Sequence, residues 1–272
     1  MTNDNEPTPI GRTLFVHGMY MTPACWTPWV ERFRVAGIDA EALAWPGRDR
    51  PIRDLQADTD DPTLAALGLS DVVTSVEAVV RAEPLPPVLI GHSMGGLAAQ
   101  LVMSRAPVSA VVVVSSAAPR GVLSTKWPFL RANWGHITPF RSKRHPVVMS
   151  FERFQYTFVN GMPLDEQRAA FDTLVVPESR RVPAGALTAA AKVDFAAPHP
   201  PLLFVAGGND HLIPASLNRA NAKRYRRSPS RTDVQEFKGR NHFILGQQGW
   251  EEVADSILAW LREPQPETSG GA

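Results

Sequence analysis

Short apolar runs alternate along the chain with longer segments in which apolar residues recur at helical spacing. The runs are almost continuously apolar, which is typical of strands buried on both faces of a parallel sheet. Helical spacing is clearest near the end of the chain, where Val253, Ile257 and Leu261 share one face, and again over residues 69–80. This alternation predicts an α/β fold with a mostly parallel sheet and helices on both of its faces. The predicted strands cover residues 13–17, 38–43, 88–90, 110–115, 202–206 and 233–237.

The alternation stops between residues 121 and 198, a stretch without a convincing strand. We interpret this stretch as a mainly helical insertion on the sheet, so that residues 10–120 and 199–262 form the core. The tails, residues 1–9 and 263–272, are polar and rich in Pro, Ser or Gly, and we predict that they are flexible. Most aromatic residues of the insertion are expected to pack it against the core, and a few to face a pocket. They are Trp127, Phe129, Trp134, Phe140, Phe151, Phe154, Tyr156, Phe158, Phe171 and Phe195.

Composition narrows the classes of partner. The 28 Lys and Arg residues nearly balance 27 Asp and Glu, so the basic excess that nucleic-acid binding requires is missing. No stretch approaches the roughly 20 apolar residues of a membrane span, and the first residues lack the pattern of a secretory signal. Cys25 is the sole cysteine and cannot form an internal disulfide, and no Cys/His spacing suggests a metal site. These features predict a cytoplasmic monomer or homodimer that acts on a small molecule without a metal or cofactor.

A nucleophile motif follows the third predicted strand. Residues 91–95 read Gly-His-Ser-Met-Gly and are followed by a helical stretch over residues 96–105, the context that gives a G-x-S-x-G elbow its meaning. Glycines are needed on either side of Ser93 because strand and helix pack too tightly there for a Cβ. Ser93 then stands at the C-terminal end of the strand, with the helix N-terminus behind it. Ser93 is therefore the predicted nucleophile.

A serine hydroxyl needs a base, and histidine is the usual choice because its unperturbed pKa is about 6.5. Of the 7 His residues, His242 comes just after the last predicted strand. In a parallel sheet this places His242 at the same edge as Ser93, so it is the predicted base. The others lie in loops that shape the site, next to an acidic residue, or in or beside the insertion: His17, His92, His136, His145, His199 and His211.

A carboxylate is expected to fix the tautomer of the histidine and stabilise its charged form. The fourth predicted strand ends without an acid, whereas the fifth runs into Gly-Gly-Asn-Asp, which makes Asp210 the candidate. Asp194, which belongs to the insertion, is the alternative.

Acyl transfer also needs backbone N–H groups that stabilise an oxyanion. One is the N–H of Met94, the residue after the nucleophile. The other is expected from the loop after the first strand, where Gly18 lets the chain turn; Met19 is the first choice and Tyr20 the second. His17 is expected to brace this loop. The residues predicted to border the substrate are His17, Gly18, Tyr20, His92 and Phe243.

These segments resemble the α/β-hydrolase superfamily in its order of nucleophile, acid and base. The resemblance extends over about residues 11–262 and rests on His17-Gly18, on residues 91–95, on residues 207–210 and on Gly-Arg-Asn-His-Phe at 239–243. It is to a serine esterase-like member, and it implies that residues 121–198 form a cap or lid that shapes the substrate pocket. The His-Gly loop followed by Cys-Trp is also similar to small bacterial esterases and to the plant methylesterase and hydroxynitrile lyase group.

The resemblance implies a hydrolase that cleaves a carboxylic ester or thioester of a small, partly apolar substrate through an acyl-enzyme. Serine at the elbow disfavours epoxide hydrolases and haloalkane dehalogenases, which attack with aspartate. Phe243 stands where hydroxynitrile lyases carry lysine, which disfavours a lyase. Cofactor-free haloperoxidase or perhydrolase chemistry and C–C hydrolysis use the same triad and stay open. A non-catalytic ligand-binding module on this scaffold is disfavoured by the complete triad.

Overall fold

The computed structural model describes residues 11–122 and 145–263. Each predicted strand is present, with ends that shift by one or two residues. The strands are β1 (Thr13–Val16), β2 (Ala40–Leu43), β3 (Val88–His92), β4 (Ala110–Val114), β5 (Leu202–Gly207) and β6 (Thr232–Phe237). They form one parallel sheet in the order β2-β1-β3-β4-β5-β6, which confirms the predicted α/β architecture.

Helices connect the strands and cover both faces of the sheet, as crossovers between parallel strands require. The two helices predicted from their apolar faces are present at Leu69–Ala82 and Trp250–Arg262, and Val253, Ile257 and Leu261 of the predicted face are buried. The α-helices are α1 (Thr27–Val35), α2 (Ile52–Ala57), α3 (Pro62–Ala66), α4 (Leu69–Ala82), α5 (Met94–Val102), α6 (Phe151–Thr157), α7 (Leu164–Leu174), α8 (Arg181–Gly185), α9 (Ala215–Arg224) and α10 (Trp250–Arg262). Short 3-10 helices cover Pro23–Trp26, Ala189–Ala191 and Tyr225–Arg227.

The start of β2 differs from the prediction because Ile38 belongs to the end of α1. The N–H of Ile38 donates to the carbonyl of Phe33, and the N–H of Gly37 to that of Arg34. Gly37 has a φ of 83°, the left-handed conformation that commonly closes a helix. The helix end therefore uses apolar positions that the hydrophobic pattern assigned to the strand.

The segment between β4 and β5 contains α6, α7 and α8 in its described part. No strand ladder occurs in residues 145–198; a single antiparallel bridge joins Val147 to Glu178. Phe154 is fully buried and packs against the rings of Phe158 and Phe171. Predictions for Trp127, Phe129, Trp134, His136 and Phe140 lie outside the described residues.

Within residues 11–122 and 145–263, no helix has the length and apolar character needed to cross a bilayer.

Candidate active site

Ser93 occupies a strained turn between β3 and α5. Its φ of 54° and ψ of −117° lie outside the usual regions for a side chain with a Cβ. A Cβ on Gly91 would clash with the carbonyl of Gly95, and a Cβ on Gly95 would clash with the carbonyls of Val16 and His17. The close approach of strand and helix therefore requires glycine at both positions and holds the serine at the C-terminal edge of the sheet.

Three side chains from separate strand ends form a hydrogen-bonded chain at this edge. The Nε2 atom of His242 is 3.1 Å from the hydroxyl oxygen of Ser93, and its Nδ1 atom is 2.7 Å from Oδ2 of Asp210. The side chains of His242 and Asp210 are both fully buried. Because the carboxylate can only accept, Nδ1 is the protonated nitrogen and Nε2 faces the serine hydroxyl as an acceptor. This arrangement can remove the proton of the hydroxyl.

The carboxylate of Asp210 is fixed by the turn that carries it. Its second oxygen, Oδ1, accepts from the N–H groups of Leu212 and Ile213 at 2.8 and 2.7 Å. These bonds orient the other oxygen of the carboxylate toward His242. Asp194, the alternative acid, is instead exposed, and its carboxylate accepts from the N–H of Ala196.

His92, next to the nucleophile, braces the loop of the base. Its Nε2 atom donates to the carbonyl of His242 at 2.9 Å, and its ring lies 4.7 Å from that of His242. Burial lowers the pKa of His92 well below its usual value, and the neighbouring His242 adds to this effect. His92 is therefore neutral at ordinary pH, as a donor buried among apolar side chains should be.

The loop after β1 lies against the nucleophile. A Cβ on Gly18 would come within 2.9 Å of the Cβ of Ser93, so the loop could not approach this closely with a larger residue. Within the described part of the chain, no acceptor is hydrogen-bonded to the N–H of Met19 or of Met94. The N–H of Tyr20, the second choice for the oxyanion, donates to Oε2 of Glu178 at 3.0 Å.

His17 holds the same loop through contacts of its imidazole ring. Its Nδ1 atom donates to the carbonyl of Gly18 at 2.8 Å, and its Nε2 atom accepts from the N–H of Trp45 at 3.3 Å. The ring also stacks on the indole of Trp45, with 4.5 Å between centroids. Burial lowers the pKa of His17 to about 3, and the charge of Arg48 acts in the same direction. The neutral ring thus uses both nitrogens to hold the loop.

The model of the family described as "Alpha/beta hydrolase family" matches residues 13–256. The chain belongs to the alpha/beta hydrolase family. This confirms the resemblance inferred from the motifs.

Solved structures similar to this hydrolase cover nearly its whole length. A pyrethroid hydrolase from Sphingobium faniae is 17% identical, with a TM-score of 0.64 over 94% of this chain and 99% of that chain. A methylesterase protein from Arabidopsis is 12% identical, with a TM-score of 0.65 over 93% and 99%. A monoacylglycerol lipase from Paleococcus ferrophilus is 19% identical, with a TM-score of 0.61 over 94% and 98%. At these identities the likeness concerns the fold. Comparison with curated protein sequences finds no match.

Two groups of residues near the site of this hydrolase were not predicted from the sequence. Glu178 and Arg48 form an ion pair at 3.1 Å, with side chains 0% and 1% exposed. The available signal was a single acid in the apolar run 174–178. Asn160 lies between the acid and base loops: its side-chain amide donates to the carbonyl of Asn209, and its own carbonyl accepts from Asn241. The residues around Asn160 in the sequence do not indicate these contacts.

The end of α6 also reaches the base. The ring of Phe158 meets that of His242 edge to face, with centroids 4.9 Å apart, and the carbonyl of Phe158 accepts from the N–H of Phe243. Phe243, predicted to border the substrate, is almost fully buried beside this contact. The insertion therefore supplies an apolar wall directly against the imidazole.

Proposed function

We propose that this protein is a serine hydrolase that cleaves a carboxylic ester or thioester of a small, partly apolar substrate through an acyl-enzyme. The observation that carries the proposal is the chain of hydrogen bonds from Ser93 through His242 to Asp210, on three strand ends of an α/β-hydrolase fold. The names of two similar structures, a methylesterase and a monoacylglycerol lipase, are in keeping with ester cleavage.

The residues have complementary roles in this reaction. His242 accepts the proton of the Ser93 hydroxyl through Nε2 as the oxygen attacks the ester carbonyl. Asp210 stabilises the imidazolium that forms. The departing alcohol or thiol takes the proton from Nε2, and an acyl-enzyme is left on the serine. Water, activated by the same nitrogen, then releases the acid and regenerates the hydroxyl.

The carbonyl oxygen becomes negatively charged in both halves of the reaction. The N–H groups of Met94 and Met19 are the donors that we assign to it, since that of Tyr20 is already hydrogen-bonded to Glu178. Met94 begins α5, so its N–H lies at the positive end of that helix. Neither of the two donors has a described acceptor that it would have to give up when the charge develops.

The insertion is proposed to act as the cap of the substrate pocket. Phe158 lies against His242, and Met19 and Met94, whose N–H groups are the assigned donors, are only 8% and 6% exposed. Both methionines belong to the same buried apolar cluster as Phe158, so the insertion, the loop after β1 and α5 each contribute an apolar residue next to the triad or the donors. Such walls favour a substrate with an apolar portion next to the scissile bond.

A fluorophosphonate probe tests the nucleophile directly. We expect labelling of the wild-type protein and of Ser104→Ala, and no labelling of Ser93→Ala. Ser104 is the matched control, because it is an exposed serine just beyond the end of α5 whose hydroxyl donates to Leu101. Turnover of p-nitrophenyl butyrate should follow the labelling. Labelling of Ser93→Ala, or a wild-type protein that is neither labelled nor active, would refute the proposal. Peracid formation without ester turnover would favour the perhydrolase alternative.

A further inference from the structure

One segment of the insertion holds Tyr20 at both of its peptide groups. The N–H of Tyr20 donates to the carboxylate of Glu178 at 3.0 Å, and its carbonyl accepts from the N–H of Val176 at 3.0 Å. These contacts join residues more than 150 positions apart in the sequence. They are the described links that tie the main chain of this loop to the insertion, immediately after Met19.

Glu178 is held firmly enough to impose this geometry. Its other carboxylate oxygen, Oε1, accepts from the N–H of Ser179 at 2.7 Å, and Arg48 lies 3.1 Å from Oε2. Its main chain is paired with Val147 through two hydrogen bonds. A carboxylate without solvent exposure persists only when its oxygens are occupied by donors and its charge is paired. The position of each partner is therefore closely defined.

The ion pair matters more for geometry than for stability. Buried pairs contribute little net stability, because desolvation of both charges offsets their attraction. Here the pair fixes Oε2 of Glu178 as the acceptor for the N–H of Tyr20, whose backbone is strained. Tyr20 has a φ of 64°, the left-handed region that a residue with a Cβ avoids unless its surroundings enforce it. Without Glu178, the N–H of Tyr20 loses this acceptor, and a return of Tyr20 to negative φ would turn the peptide groups around it.

We propose that Glu178, paired with Arg48, is a positioning residue for the oxyanion donor of Met19. It locks Tyr20 in the left-handed conformation and thereby aims the preceding N–H at the carbonyl oxygen of the substrate. This inference rests on the proposed function. It gives the insertion a second role, in transition-state stabilisation, in addition to covering the pocket.

Two variants test the proposal. Glu178→Gln keeps the shape of the side chain, but its amide cannot accept from both Tyr20 and Ser179, and it leaves the charge of Arg48 unpaired. The double variant Arg48→Met with Glu178→Leu removes both charges together and leaves no buried charge unpaired, so we expect it to fold even if the single variant does not. Ser179→Ala is the matched control: this neighbouring hydroxyl donates to Leu67 in the core and makes no described contact with Tyr20.

The readouts separate transition-state from ground-state binding. With p-nitrophenyl butyrate we expect kcat of both variants to fall about 10- to 100-fold while KM stays close to that of the wild type. Affinity for a trifluoromethyl alkyl ketone, which adds to the serine and forms an oxyanion, should fall by a similar factor. Affinity for the corresponding methyl ketone, which occupies the pocket without adding, should not change. Ser179→Ala should retain kcat and both affinities.

Either of two results would overturn the proposal: an unchanged kcat in the folded double variant, or an equal loss of affinity for the two ketones. A wild-type protein without ester turnover would instead overturn the proposed function, and this inference with it. Failure of this inference and failure of the proposed function are distinguishable, because failure of the proposed function is seen in the wild-type protein alone.

Discussion

The two sides of the candidate site are built in different ways. The triad side, Ser93, Asp210 and His242, stands on three strand ends of the core, and its members are hydrogen-bonded to each other. The oxyanion side, residues 17–20 and Met94, makes its contacts partly with the insertion. Tyr20 at its end is held by Glu178, far away in the sequence.

The difference indicates which part of the fold holds each side of the site in place. The triad side depends on the register of neighbouring parallel strands, which the buried core fixes. The oxyanion side instead has two hydrogen bonds between Tyr20 and a segment outside the sheet. If the proposed roles hold, we expect a change in the insertion to alter the stabilisation of the oxyanion while the triad keeps its geometry.

The largest effect is expected from the triad side. Asp210→Asn should lower turnover of p-nitrophenyl butyrate about 10⁴-fold, because an amide neither stabilises the imidazolium nor enforces the correct tautomer. The amide retains its shape, so the thermal unfolding temperature should change little. Asp194→Asn is the control, since Asp194 is exposed and lies in the insertion. Undiminished turnover of Asp210→Asn would refute the assignment, and a loss in Asp194→Asn would point to the alternative acid.

The sequence predicts the triad side because each of its members follows a strand. A buried strand is visible as an apolar run, and the residue just after it is placed at a known edge of the sheet. Ser93, Asp210 and His242 all meet this condition, and so does Gly18. The six strands were predicted for the same reason. Their ends shifted by one or two residues, at β2 because the end of α1 takes in Ile38.

The contacts of the oxyanion side could not be predicted in this way. Nothing local in the sequence of Tyr20 indicates positive φ, a conformation usually associated with glycine or asparagine. Its partner, Glu178, lies in a segment whose course follows no regular strand or helix. Pairing of such residues depends on how the insertion settles on the core, which neither apolar periodicity nor spacing specifies.

The oxyanion side should also be sensitive to acid. The pKa of His17 is lowered to about 3 in the folded protein, so between that value and about pH 6.5 the unfolded state binds one more proton at this residue. The free energy of unfolding should therefore fall by about 1.4 kcal/mol for each pH unit below about pH 6 on account of His17 alone. Buried His92, whose pKa is also lowered, adds a contribution of the same sign.

Urea unfolding measured from about pH 6 to about pH 4 tests this slope. His17→Gln cannot titrate but can still offer a donor to Gly18 and an acceptor to Trp45, so it serves as the comparison variant. Its stability should fall less steeply than that of the wild type, by about 1.4 kcal/mol per pH unit. Parallel stability profiles for the two proteins would show that His17 does not make the folded state acid-sensitive.

The smallest effect is expected where the insertion touches the triad side. The side-chain amide of Asn160 donates to the carbonyl of Asn209 at 2.9 Å, and this bond is lost in Asn160→Ala. The carbonyl of residue 160 still accepts from Asn241. Because Asp210 keeps its three hydrogen bonds within the core, we expect a loss of about 1 kcal/mol in the free energy of unfolding and a small change in kcat.

Asn241→Ala breaks the other half of this contact and should behave alike, since the main-chain N–H of residue 241 still donates to Gln247. Measured beside Glu178→Gln, the two asparagine variants decide how far the two sides differ. If either one lowered kcat as much as Glu178→Gln, the insertion would position the triad as strongly as the oxyanion loop. If both lowered only stability, the hydrogen bonds of Asp210 within its own turn would be sufficient to hold the acid and base in register.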